Sequence, residues 1–182
     1  MPPQGRITRE MVVDAGFALA RESGIEAVSV RAVARRLGCS TQPVMYHFKR
    51  AEALRRAVYE RADRFHTAWL ADSSGPNPLL EAGLAYIRFA QTEKQLFRLL
   101  FQSNEFAGKS LAQLTDAAAS ALPALGGVAR AEAVFKYLFL SVHGYASMFA
   151  NNALVYDEAV IAADLERIFA GAVRASGGEE SR

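Results

Sequence analysis

Apolar residues recur at helical spacing along almost the whole chain. Val12, Ala15, Leu19 and Ala20 form one stripe of a helix that Thr8 can cap, with Glu10 in the first turn, where the helix dipole favours an acid. This helix is expected to end near Gly24. Val30, Val33, Ala34 and Leu37 share a face of a second helix whose other faces carry Arg31, Arg35 and Arg36. Gly38 ends it, Ser40 or Thr41 can cap a third helix, and Pro43 falls in the first turn of that helix, where a missing N–H costs nothing. A fourth helix is expected from about Arg50 to Leu70, stopping before Asp72-Ser73-Ser74-Gly75-Pro76-Asn77-Pro78, the one clear linker. Beyond it, Leu79, Leu80, Leu84, Ile87 and Phe89 mark a fifth helix. Leu96, Phe97, Leu99, Leu100 and Phe101 mark a short sixth. Leu111 to Leu122, Val128 to Asn151 and Asp157 to Ser176 complete the pattern. No sustained alternation, Asn-Gly hairpin or β-branched run marks a strand, so the expected fold class is all-α with about nine helices.

The second and third helices, separated by a three-residue break, have the form of a helix-turn-helix. Ala34, Gly38 and Val44 supply a small residue, a turn and an aliphatic anchor where two helices would cross. Any small helical hairpin could use these three. The outer face of the third helix is more telling: Thr41, Gln42, Met45, Tyr46 and His47 point outward, and Lys49 follows directly. Charge agrees. The net charge of +2 is uneven, because residues 1–67 hold 12 Lys+Arg against 7 Asp+Glu, while the remainder holds 9 against 12. The positive half is the half with the motif, as a phosphate-binding surface requires.

From Ile7 to Ala62 the chain resembles the N-terminal DNA-binding domain of TetR/AcrR-type transcriptional regulators. The opening helix, the glycine before the link Gly24-Ile25-Glu26-Ala27-Val28-Ser29, the Arg31-to-Gly38 helix, the aromatic helix ending in His47-Phe48-Lys49 and a long fourth helix with Glu52 and Leu54 carry the resemblance. One departure is Met45, where many relatives have a tyrosine that holds a phosphate; here Tyr46 stands next to it. The resemblance implies a ligand-responsive repressor that binds a palindromic operator in double-stranded DNA as a homodimer. It assigns Ser29, Arg31, Ser40, Thr41, Gln42, Pro43, Met45, Tyr46, His47 and Lys49 to the major groove or its phosphates. Arg31 suits guanine, Gln42 adenine, and Lys49 with the free N–H groups of the fourth helix suits a phosphate. The expected domains are 1–49 for DNA binding, 50–72 as the connecting fourth helix, and 73–182 for ligand binding and dimerisation.

The helix expected from Val128 is apolar nearly all round. Val134, Tyr137, Leu138, Val142, Tyr145 and Met148 lie near one face, and Phe135, Phe139, His143, Ala146 and Ala150 cover the adjacent one. Such a helix must be covered on both sides. With the last helix (Ala159, Ala163, Leu165, Ile168, Phe169, Ala172) it can form a four-helix interface between two subunits. The dimerisation residues expected are Tyr137, Leu138, Val142, Tyr145, Leu165, Ile168 and Phe169, and the resemblance also implies pairing through the last two helices. Val142-His143-Gly144 partly resembles a Trp-His-Gly series in one subgroup, with valine in place of tryptophan. His143 is either a polar or pH-sensitive group lining a cavity or interface, or a core histidine bonded to a backbone carbonyl, with Gly144 a point of helix approach. The resemblance implies an apolar cavity beneath the fourth helix; Phe65, Trp69, Tyr86, Phe89, Phe139 and His143 are its expected lining, and the effector is expected to be small and apolar or aromatic.

The remaining chemistry is sparse. At 182 residues and 51% hydrophobic content the chain suits a small module plus a medium domain. A single cysteine, Cys39, excludes an internal disulfide and suits a reducing cytoplasm. Met1 to Gly5 lacks the apolar core of a signal peptide, and Tyr137 to Ala150 is too short and too interrupted by Ser141, His143 and Ser147 to span a bilayer. His47, His66 and His143 have no partners at metal-ligand spacing, and no phosphate loop or nucleophile elbow occurs. No metal, cofactor, catalytic site or membrane partner is expected. A constitutive DNA-binding protein and a helical-bundle enzyme are the rival classes.

Overall fold

The structure, a computed structural model, describes residues 7–72, 75–103 and 128–177. Among these residues it has eight α-helices and no strand: α1 (Arg9–Ser23), α2 (Val30–Arg36), α3 (Thr41–His47), α4 (Ala51–Ala71), α5 (Pro78–Thr92), α6 (Lys94–Phe101), α7 (Val128–Ala150) and α8 (Glu158–Gly177). The helix expected from Leu111 to Leu122 lies outside the described residues. The chain divides into two compact units, Met1–Ala68 with Glu93–Phe106, and Trp69–Thr92 with Ala107–Arg182.

In the first unit, Thr8 caps α1 by accepting the Met11 N–H at 3.2 Å. Gly24, at φ 87°, ends the helix and leads into a 3₁₀ turn at Ile25–Ala27. Val12, Phe17, Ile25, Val28, Val33, Val44, Phe48, Leu54 and Val58 are buried, each contributing about 1.5–3 kcal/mol by leaving water. Gly16 is needed where it stands, since a Cβ there would come within 2.7 Å of Val58 Cγ2. α6 also belongs to this unit and packs on α1. Its stripe of Leu96, Phe97, Leu99 and Leu100 is buried, and Arg21 of α1 pairs with Glu93 at its start. A period of apolar residues shows that a helix is buried without showing against what, so the sequence grouped α6 with the residues after the linker. His66 of α4 is buried with its ring edge-on to Phe101 at 5.1 Å.

In the second unit α5, α7 and α8 pack on one another. Gly83 sits at their junction: a Cβ there would be 3.1 Å from Val142 Cγ2 and 3.6 Å from Leu165 Cδ1. Val134, Leu138, Val142, Ala146 and Phe149 form the buried stripe of α7, facing a core that includes Ile87, Phe89, Ile161 and Leu165. This corrects the expected dimer face. Leu138, Val142 and Leu165 are buried within the single chain and cannot also meet a partner. The outer face of α7 carries Tyr137, Leu140, Gly144 and Met148 instead. α7 closes with Asn152 at φ 58°, where Asn152 N–H donates to the Phe149 carbonyl and Ala153 N–H to that of Met148.

Candidate DNA-reading face

The two helices of the motif are fixed by local bonds. Ser29 caps α2, its Oγ accepting the Ala32 N–H at 3.2 Å, so its hydroxyl already has a structural task. At the other end Gly38 adopts φ 66°, its N–H donating to the Arg35 carbonyl and the N–H of Cys39 to that of Ala34. This pair of bonds is the Schellman closure, which needs a left-handed residue at the position of Gly38. Ser40, in extended conformation, precedes α3 without making a side-chain cap bond.

Within α3, Val44 is buried, and Phe48 just beyond it is buried with its N–H donated to the Val44 carbonyl. These two anchors leave Gln42, Met45 and Tyr46 exposed on the opposite side, Met45 at 52% and Tyr46 at 74%. Thr41, Pro43 and His47 are half-buried. His47 is less free than its outward position in the sequence suggests: Nε2 lies 2.9 Å from the Ile7 carbonyl oxygen, and its ring meets Tyr46 edge-on at 5.1 Å. Arg31, Ser40, Lys49 and Arg50 are exposed around the helix. Arg36 is held by Glu22, with bonds of 2.8 and 2.7 Å that also keep the Glu22 carboxyl below its ordinary range.

Sequence reasoning missed Arg9. Its guanidinium lies 5.0 Å from the centre of the Phe48 ring, beside the end of α3. A signal existed, because a cation in the first turn of a helix opposes the dipole and asks for another reason to be there.

Residues 12–58 match the family model of bacterial regulatory proteins, tetR family. The match begins in α1, contains the whole helix-turn-helix and ends in α4. The tetR-family match is thus to the DNA-binding part of such regulators. The fold is similar to that of a transcriptional regulator from Rhodococcus sp. Rha1, with a TM-score of 0.62, 21% identity, and 93% of this chain and 97% of that one covered. A TetR-like transcriptional regulator from Rhodococcus sp. RHA1 is similar over 98% of this chain and 99% of its own, with a TM-score of 0.63 and 16% identity. Compared by sequence with the curated proteins, the chain matches none. Both of these similar structures are of transcriptional regulators.

The residues expected to line a cavity fall in both units. Phe65 belongs to the first, edge-on to Phe17 at 5.5 Å with the Arg21 guanidinium 5.5 Å from its ring centre. The other five belong to the second and form two groups. Trp69 donates its indole N–H to the Ala85 carbonyl at 2.9 Å and meets Phe89 edge-on at 5.7 Å. Tyr86 Oη and His143 Nδ1 are 3.0 Å apart, and Phe139 stacks on the His143 ring at 5.7 Å. Burial raises the Tyr86 hydroxyl far above its ordinary value and lowers that of His143, so both are neutral partners of one hydrogen bond. His143 therefore has a side-chain hydroxyl as partner where the sequence suggested a carbonyl. Gly144 is exposed, and a Cβ on it would meet nothing within 4 Å, so it is no point of helix approach in the described residues.

Of the expected dimerisation residues, Tyr137 is exposed at 55%, and Ile168 and Phe169 are half-buried. The Tyr145 hydroxyl donates to Asp164 Oδ2 at 2.6 Å. Among the described residues no helix is long and apolar enough to cross a membrane, and no cluster of three or more His, Cys, Asp or Glu could hold a metal ion.

Proposed function

We propose that this chain is a cytoplasmic, ligand-responsive transcriptional repressor that binds a palindromic operator as a homodimer. The observation that carries the reading is the joint exposure of Gln42, Met45 and Tyr46 on a helix fixed from behind by Val44 and Phe48. A short helix presented in this way fits the major groove. Arg31 is suited to the two acceptors of guanine, while Lys49 and the free N–H groups at the start of α4 suit a phosphate. Two copies would reach half-sites about one helical turn of DNA apart. The surface assigned to the dimer is the outer face of α7, with Tyr137, Leu140 and Met148, together with Tyr145, Ile168 and Phe169.

The effector reading is supported by the Tyr86–His143 bond among aromatic rings, which offers a small apolar or aromatic compound one polar point of attachment. The partial Trp-His-Gly resemblance at Val142-His143-Gly144 points the same way. α4 is one continuous helix shared by both units. A ligand that prefers one position of its end over another shifts operator affinity through that preference, and a coupling of about 1–3 kcal/mol corresponds to about 5- to 150-fold.

The test is an electrophoretic shift with duplex from the region upstream of the coding sequence. A specific complex should survive excess unrelated DNA, and an apolar or aromatic compound that raises the melting temperature should release it. Arg31→Ala should lower specific affinity by about 1–3 kcal/mol, whereas Lys49→Ala should weaken all duplexes alike. Equal binding to every duplex would establish the constitutive alternative. If stabilising compounds are found and none alters DNA affinity, the coupling is refuted.

A further inference from the structure

The outward face of α3 contains no charged side chain. Gln42, Met45 and Tyr46 are its exposed residues, and the neighbouring cations Arg31, Arg35, Lys49 and Arg50 all lie outside the helix. We infer that the base pairs read by α3 are A·T, with Gln42 on an adenine and Met45 on the methyl group of an adjacent thymine; this rests on the DNA-binding reading above.

Guanine presents two acceptors in the major groove, N7 and O6, and its best partner is a bidentate cation. α3 has none to offer. A glutamine amide pairs one donor with one acceptor, which matches the N7 acceptor and N6 donor of adenine and mismatches the two acceptors of guanine. Thymine is the one base with a methyl group in that groove. Met45 is unbranched, apolar and 52% exposed on the helix, so the face loses hydrated apolar surface when Met45 packs on that methyl. Spacing agrees as well. Residues 42 and 45 are separated by about 4.5 Å along a helix axis, close to the ~3.4 Å between successive base pairs. Tyr46, 74% exposed and braced by the His47 ring, is left for the backbone, its hydroxyl able to donate to a phosphate.

The experiment selects binding duplexes from a random-sequence library and then replaces single thymines by uracil, which removes only the methyl group. Each selected half-site should hold two adjacent A·T pairs. Uracil at one of these positions should weaken the wild-type protein about fourfold and leave Met45→Ala unaffected. Gln42→Ala should lose about 5- to 150-fold of the preference for adenine at the neighbouring pair. Both side chains are exposed, and unchanged melting temperatures would show that the variants fold. The inference is overturned if the pairs relaxed by Gln42→Ala or Met45→Ala prove to be G·C, or if the wild type is indifferent to uracil at every thymine of a half-site it binds. A library in which no duplex is enriched would overturn the DNA-binding reading itself, and this inference with it.

Discussion

Arg21 grips Glu93 with two parallel bonds, Nε donating to Oε2 at 2.7 Å and Nη2 to Oε1, across 72 residues of sequence. The Glu93 carboxylate is buried while Arg21 is half exposed, so the guanidinium is the only member of the pair that water can also solvate well. The bond to Glu93 raises the already high pKa of Arg21.

Arg21→Met should therefore cost more than an exposed ion pair would. We expect about 1–3 kcal/mol, between the values for surface and buried pairs, because a buried carboxylate is left without its cation. Chemical denaturation reads this directly. The double variant Arg21→Met/Glu93→Gln should recover part of the loss, and a double variant no more stable than Arg21→Met would show that the pair is not what fixes α6 to α1.

Gly16 is a second long-range contact with a clear sign. Gly16→Ala gains about 1 kcal/mol of helix propensity but forces its methyl against Val58, a stiff β-branched side chain in the core, for a net loss of about 1–2 kcal/mol. Val58→Ala alone should also destabilise. Combined, the two should cost less than their sum, since the second removes the atom that the first strikes.

The pH dependence of the second unit follows from His143. Burial lowers its pKa below the ordinary 6.5, so between the two values the unfolded chain binds more protons than the native one. The stability linked to neutral His143 is complete above about pH 6.5 and is lost as pH falls toward and through the lowered value. Melting temperatures measured from pH 7.5 down to pH 5 should fall less steeply in His143→Gln, which accepts from Tyr86 but does not titrate. Parallel curves for the two proteins would refute the linkage.

Neighbouring positions on α7 separate folding from assembly. Leu138, 2% exposed, cannot accept a carboxylate without opening the core, so Leu138→Glu should unfold the second unit. Tyr137→Glu should leave the fold intact, as its side chain already stands in water in the single chain. Sedimentation velocity should find Tyr137→Glu monomeric; an intact dimer would place the interface elsewhere.

What the sequence made legible was local. Thr8 and Gly38 act on residues within one turn of themselves, and α1, α2 and α4 begin and end within a residue or two of the expected positions. The helix-turn-helix was visible for the same reason. Partners distant in sequence were not. α7 is apolar on most of its surface, and nothing in that pattern says that Leu138 and Val142 are used by α5 and α8 while Tyr137 is left outside. The Tyr86–His143 bond and the approach of His47 to Ile7 join residues 57 and 40 positions apart, with no motif to announce either.

The placement of α6 has a consequence for heredity. Because its four buried residues, Leu96, Phe97, Leu99 and Leu100, belong to the first unit, the unit that carries α3 is not encoded as one uninterrupted stretch. A recombination event at the 72–78 linker would transplant α1 to α4 intact and yet leave α1 without its own α6 and Arg21 without Glu93. An exchange of this unit between related genes keeps it whole only when the second breakpoint lies beyond Phe101 or when the incoming α6 already matches the borrowed α1.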